Sequence, residues 1–278
     1  MIRDGDGDGD GGELPPRALI LTVLGLYVRE AGGWVSVRAL IQLLAAVEVD
    51  AQAVRSSVSR LKRRGLLVAE RRDGSAGYAL SDFARRVLDI GDQRIFARGD
   101  HDLERWTLVV FSVPETERQK RHTLRTRLSW LGFGTVASGV WIGPSHLLPD
   151  ARRVIETDEL TPYVDLFEGE YLAFGDPAEK VAEWWDLEAL DAQYRDFLQR
   201  TAPMLDRWRS NSSGAPEFCF ADYVRALTMW RRLPYLDPGL PTSLLPRTWH
   251  GTEAAETFFE LKARLEGPAH VFADEVIG

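Results

Sequence analysis

Between Asp50 and Gly65 the chain reads D-A-Q-A-V-R-S-S-V-S-R-L-K-R-R-G, and the spacing separates two chemistries. On a helix turning about 100° per residue, Val54, Val58 and Leu61 gather on one side, while Arg55, Ser56, Ser59, Arg60 and Arg63 fan over the other. Guanidinium forks and short hydroxyls suit phosphate oxygens and base edges, and a helix fits the major groove of a duplex. Arg71 and Arg72 follow beside Asp73-Gly74-Ser75-Ala76-Gly77, a turn-rich stretch whose tip is placed to touch a backbone or a minor groove. Arg55, Ser56, Ser59 and Arg60 are therefore the base-edge candidates. Arg63, Arg71 and Arg72 are the phosphate candidates.

Signals for covalent or metal chemistry are weak by comparison. His101, His122, His146, His250 and His270 are too far apart for a short-spaced metal motif, and the single Cys219 excludes a cysteine-rich zinc site. Gly132–Ala137 fits a dinucleotide fingerprint by letter, but it follows a helix and enters a strand, the reverse of the context that fingerprint needs. No Gly-Lys phosphate loop and no Gly-x-Ser-x-Gly elbow occurs. The Gly/Asp alternation of residues 1–13 suggests a calcium loop, yet counting Asp4 or Asp6 as the first position, the twelfth is Pro15 or Arg17 where a bidentate Glu is required. Asn211-Ser212-Ser213 is a glycosylation triplet by letter alone. The expectation is a non-enzyme with no cofactor and no metal.

The elements that must carry the basic helix are legible around it. Leu19, Ile20, Val23, Leu24 and Tyr27 recur at helical spacing up to Gly32-Gly33, and Ser36 can cap a second helix with Ala39, Leu40, Leu43 and Leu44 inward. Asp50 caps the third. Leu66–Ala69 and Tyr78–Leu80 then read as a hairpin, so three helices and a hairpin describe a winged helix-turn-helix. Ser81–Ile90 is a further helix that packs on this unit or leads to a dimer contact. Beyond a polar linker at 92–105 come a buried strand (Trp106–Val113), a helix (Glu115–Leu131), strands at Gly134–Ala137 and Val140–Ile142, a helix across Asp150–Leu160 and a strand at Tyr163–Glu168. This is the ferredoxin-like βαββαβ order. The remainder is helical, with stripes Leu187/Leu190/Tyr194/Phe197, interrupted at Pro203, and Phe220/Tyr223/Leu227/Trp230, a proline-rich loop at Pro234–Pro246, and a last helix ending at Gly267-Pro268. The fold class is α+β, and the division is an acidic tail at 1–13, a winged domain at 14–91, a linker at 92–105, a central domain at 106–180 and a helical domain at 181–278.

Charge follows the same division. The 278-residue chain carries −8 overall, but residues 14–91 hold twelve basic and seven acidic side chains, a net of +5 inside an acidic protein. With a Debye length of about 8 Å in physiological salt, local charge governs what such a segment meets. The longest uncharged stretches are Ala18–Val28, too short to span a bilayer, and Leu128–Pro149, broken by glycines and prolines. An acidic N-terminus stands where a secretory signal would be basic, so a cytoplasmic protein without membrane contact is expected.

Particular runs carry a family resemblance over nearly all of residues 17–272: R-L-K-R-R-G-L-L at 60–67, F-S-V-P-E at 111–115, L-G-F-G at 131–134, G-V-W-I-G-P at 139–144 and R-L-P-Y-L-D-P-G-L-P at 232–241. The chain resembles the PaaX-like transcriptional repressors. That resemblance implies a winged helix, a central domain similar to the small CRISPR-associated adaptation nuclease, and a helical C-terminal domain. It also implies a homodimer on a double-stranded DNA operator, released by an aryl-CoA or other acyl-CoA effector. Arg118, Arg121 and Arg125 are the cations available to the phosphates of such an effector, and Trp141 a candidate pocket wall. The alternatives are a metal-dependent nuclease or phosphodiesterase built on the central domain, or an activator without an effector. Against the nuclease stands Ser112, where the adaptation nucleases are expected to place a metal-binding Asp.

Overall fold

The computed structural model describes residues 14–97, 105–172, 174–210 and 214–278. The acidic tail, residues 98–104 of the expected linker, His101 and the Asn211 triplet lie outside the described residues. The fold class is α+β, with two small antiparallel sheets among many helices. No described helix is long and apolar enough to cross a membrane. By spatial compactness the chain forms two units, one from Met1–Phe96, Phe197–Arg231 and Glu253–Gly278, the other from Ala97–Asp196 and Arg232–Thr252.

In the first unit α1 (Pro16–Val23) opens with proline in its first turn, where a missing N–H costs nothing, and runs into a π turn at Leu24–Val28. Strand β1 (Trp34–Ser36) leads to α2 (Val37–Ala45), whose cap is the expected Ser36, its Oγ accepting from the Ala39 N–H at 3.0 Å. Then come α3 (Ala51–Arg63), β2 (Leu67–Arg72), β3 (Ser75–Leu80) and α4 (Asp82–Ile95). The sheet order is β1-β3-β2, all antiparallel. The hairpin turn is tighter than the five-residue connection expected. Asp73 and Gly74 alone make it, with φ of 48° and 81°, and Ser75–Gly77 are paired in the strand. A two-residue type I′ turn needs positive φ at both positions, which Asp-Gly supplies. Val35, Leu67 and Leu80 on the sheet join Leu40, Leu43, Val54, Val58 and Leu61 in one core.

The second unit begins with β4 (Trp106–Phe111), α5 (Arg118–Trp130), β5 (Gly134–Ala137), β6 (Val140–Pro144), α6 (Leu148–Thr157) and β7 (Val164–Gly169). The strands lie in the order β5-β6-β4-β7, each neighbouring pair antiparallel. Leu124 and Leu128 of α5 and Ile155 of α6 cover one sheet face over Val109 and Trp141. On the other face Trp106 and Ile142 pack with Val181 of α7 (Pro177–Trp184), Trp185 and Leu240.

The C-terminal helices are longer than expected. In α8 (Leu187–Ser210) the helix continues through Pro203, and α11 (Gly251–Ile277) continues through Gly267-Pro268. An interior proline costs about 3 kcal/mol. Apolar side chains beyond each proline hold the helix on: Met204, Leu205 and Trp208 are buried in α8, and in α11 Ala269 and Ala273 are buried while Phe272 packs on Phe220. Between them lie α9 (Pro216–Trp230), exposed at Pro216–Phe218 and mostly buried from Cys219 on, and the short α10 (Leu233–Leu236). Helix α4 likewise runs five residues past Ile90 into the segment read as linker, where the Trp230 Nε1–H donates to the Ile95 carbonyl at 2.9 Å.

Candidate nucleic-acid interface

Both ends of α3 are fixed by local chemistry. Asp50 Oδ1 accepts from the N–H groups of Gln52 and Ala53 at 2.8 and 2.9 Å. At the other end Gly65, at φ 72°, donates to Lys62 O at 2.9 Å while the Leu66 N–H reaches Leu61 O at 3.0 Å. This is the Schellman pattern with its hydrophobic contact, since Leu61 and Leu66 are both buried. Val54, Val58 and Leu61 face inward as the spacing predicts, joined by Ser57.

The opposite face is open. Arg55, Ser56, Ser59, Arg60 and Arg63 are all exposed, and among the described residues Arg55, Arg60 and Arg63 have no carboxylate partner. Ser56 Oγ donates back to the Ala53 carbonyl at 3.0 Å, leaving its lone pairs outward. Arg60, Lys62 and Arg63 occupy the last turn, where cations also oppose the negative end of the helix dipole. Arg71 and Arg72 are exposed beside the hairpin tip. Arg71 Nη2 donates to the Gly74 carbonyl at 2.7 Å, and Arg72 Nε to Glu70 Oε1 at 2.6 Å.

The central candidates separate into two environments. Arg118 and Arg125 stand exposed on α5. Arg121 is half-buried and engaged, its guanidinium donating to the Val113 carbonyl at 2.7 Å and to Glu115 at 3.0 Å. Trp141 is 6% exposed and enclosed with Leu124 and Leu128, on the inner side of the helix that carries those arginines outward. Beside them Lys120 Nζ donates to Tyr163 Oη at 3.2 Å and pairs with Glu117 at 3.1 Å. The Lys120 bond holds the Glu117 carboxyl below the usual carboxylate range, and the Tyr163 bond raises the Lys120 ammonium. Ser112 is exposed, and its N–H donates to Tyr163 O at 3.0 Å.

Three family models cover the chain almost end to end: PaaX-like protein over residues 15–84, PaaX protein central Cas2-like domain over 101–181, and PaaX-like protein C-terminal domain over 185–275. The chain belongs to the PaaX-like family. Its relatives include the Transcriptional repressor PaaX of Escherichia coli strain K12, 26% identical over 266 residues, 93% of this chain and 83% of that one. Among solved structures it is similar to Uncharacterized protein Rv0674 from Mycobacterium tuberculosis, with a TM-score of 0.59, 25% identity, and coverage of 95% and 99% of the two chains.

Sequence reasoning on this PaaX-like chain passed over three residues around α3. Gln52 is exposed and stands four residues before Ser56, so the same helical stripe that selected Ser56, Ser59 and Arg63 includes it. Glu48, at φ 66° in the turn between α2 and α3, accepts from Arg225 Nη2 of α9 at 2.7 Å. Only its unusual backbone sets it apart, and no sequence pattern announces that. Trp34 lies on the hairpin sheet with the Arg72 guanidinium 5.6 Å from its ring centroid.

Proposed function

We propose that this PaaX-like chain is a transcriptional regulator of repressor type that binds double-stranded DNA as a homodimer. In this reading α1, α2, α3 and the β2–β3 hairpin act as a winged helix-turn-helix, with α3 in the major groove and the hairpin as wing. The observation that carries it is the outward face of α3, where uncompensated arginines and hydroxyls stand exposed on a helix capped at both ends. Arg55, Ser56, Ser59 and Arg60 read base edges, and Arg63 and the wing hold phosphates. Two protomers then read a near-palindrome with half-site centres about one helical turn, or a multiple of it, apart.

The unit at 106–180 serves as a ferredoxin-like core. Its support is the β5-β6-β4-β7 order with both helices on one face. An acyl-CoA thioester is the effector, with Arg118 and Arg125 as the exposed cations for its phosphates. To relieve repression, it must bind the non-operator geometry more tightly than the operator-bound one.

The test is retention of genomic fragments by the purified chain, followed by salt titration of one retained duplex. Arg63→Ala weakens binding to all sequences and flattens the plot of log K against log salt by about one unit. A slope left unchanged removes that assignment. An acyl-CoA titration that releases nothing from the complex removes the effector and leaves the DNA contact standing.

A further inference from the structure

Adjacent residues of a strand point to opposite faces of the sheet, so Arg71 and Arg72 cannot serve the same surface. The register sorts them. Arg72 pairs with Ser75, Glu70 with Gly77, and Val68 with Ala79, which in turn pairs with Trp34; these residues share one face. Arg71, Ala69 and Leu67 share the other with Ala76, Tyr78, Leu80 and Val35. On this second face Leu67, Leu80 and Val35 are buried in the core that α2 and α3 complete. Arg71 extends that same face past the core to the hairpin tip, where Ala69 and Ala76 are exposed.

Arg72 is already engaged. Its Nε–H donates to Glu70 Oε1 at 2.6 Å, which neutralises its charge, and its guanidinium lies 5.6 Å from the centre of the Trp34 ring. Trp34 is held in turn. Its Nε1–H donates to the Glu70 carbonyl at 3.3 Å, and its ring fills the space above Gly77, where a Cβ would come within 2.5 Å of it. Arg71 differs in charge balance. One of its N–H groups goes to the Gly74 carbonyl, and among the described residues it has no carboxylate partner.

We infer that the two wing arginines have separate roles within the DNA-binding reading on which this rests. Arg71 is the phosphate contact. Arg72 is a positioning residue, locked with Trp34 and Glu70 so that the ribbon presents Arg71 in a fixed place. Neutralising a phosphate with an uncompensated cation releases about one counterion, whereas bringing Arg72 to a phosphate would first strip it from Glu70 or carry that carboxylate to the duplex.

The experiment is a salt titration of the full chain on a duplex that the parent retains, with Arg71→Ala, Arg72→Ala, Trp34→Phe and the double variant Arg71→Ala/Arg72→Ala. Arg71→Ala flattens the slope by about 0.9. Arg72→Ala and Trp34→Phe keep the parent slope. Arg72→Ala lowers affinity about two- to fivefold at every salt concentration, the range that loss of an exposed cation–π contact corresponds to. Because Arg72 acts through Arg71, that loss disappears in the Arg71→Ala background, which a general weakening of the fold would not produce. A slope lowered by Arg72→Ala, a slope untouched by Arg71→Ala, or an Arg72→Ala loss that persists in full in the double variant overturns the assignment. A parent chain that retains no duplex removes the DNA reading itself and Arg71's role with it. In that case faster hydrogen exchange of the β2–β3 amides in Arg72→Ala still reports the lock, and unchanged exchange refutes it.

Discussion

Gly65→Ala isolates the backbone contribution to the end of α3. Gly65 sits at φ 72°, and a Cβ there would meet nothing within 4 Å, so the substitution adds no clash and tests conformation alone. Left-handed backbone costs an L-residue about 1–2 kcal/mol, and the stiffer unfolded chain returns about 0.4–1 kcal/mol of that. A net loss of about 1 kcal/mol follows, which raises the opening of the last turn about fivefold. That turn carries Arg63, and its closure rests on the Gly65 N–H to Lys62 and Leu66 N–H to Leu61 bonds. The assay is native-state hydrogen exchange at the Leu66 amide, read beside duplex affinity. Gly32→Ala is the control, since Gly32 has φ 82° and equally open space but does not close α3. Both variants lose comparable global stability; only Gly65→Ala accelerates exchange at Leu66. Unchanged protection there would refute the reasoning and assign the helix end to the packing of Leu61 on Leu66 instead.

Three further outcomes are expected. Trp141→Ala removes a core side chain and costs about 3–5 kcal/mol in urea unfolding; near-parental stability with a lost acyl-CoA response would make Trp141 a pocket wall after all. Thr22 Oγ1 and Thr228 Oγ1 lie 2.8 Å apart between α1 and α9, so Thr22→Val and Thr228→Val each cost about 1 kcal/mol. Their double variant costs less than the sum, and strict additivity in the cycle would refute the coupling. Glu260 is held at a pKa of about 2, against 4.5 ordinarily, first by its hydrogen bond from Arg209 and then by that from Arg264. A depressed carboxyl pKa contributes stability above the unfolded value and loses it as pH falls through the folded one. Glu260→Gln therefore lowers stability at neutral pH, and its difference from the parent closes between pH 4.5 and about 2; a gap undiminished at the acid end contradicts this.

What could be read from the sequence was whatever local chemistry determines. Ser36, Asp50 and Gly65 mark helix ends through bonds to residues two or three positions away, so α2 and α3 and the two sides of α3 were visible without a partner. Pro203 and Pro268 misled for the same reason. Each is a local stop signal, overruled by apolar side chains that find their partners in another part of the chain. The packing of Trp141 among Leu124 and Leu128 brings together residues that no spacing around it names. The Asp73-Gly74 turn was within reach, because the Asp-Gly pair specifies two-residue geometry, and its register was what separated Arg71 from Arg72. Arg225 on Glu48 and Thr228 on Thr22 join positions 177 and 206 residues apart, and no periodicity encodes such pairs.

Those two long-range pairs bear on how the protein is made. Helix α1 and the turn ahead of α3 are synthesised before α9, which carries their partners Thr228 and Arg225. Domains ordinarily fold in order of synthesis. Here the bonds from Thr22 and Glu48 form only once α9 has been made. A message broken ahead of α9 would therefore yield a chain without either bond and without the helix that α1 packs against.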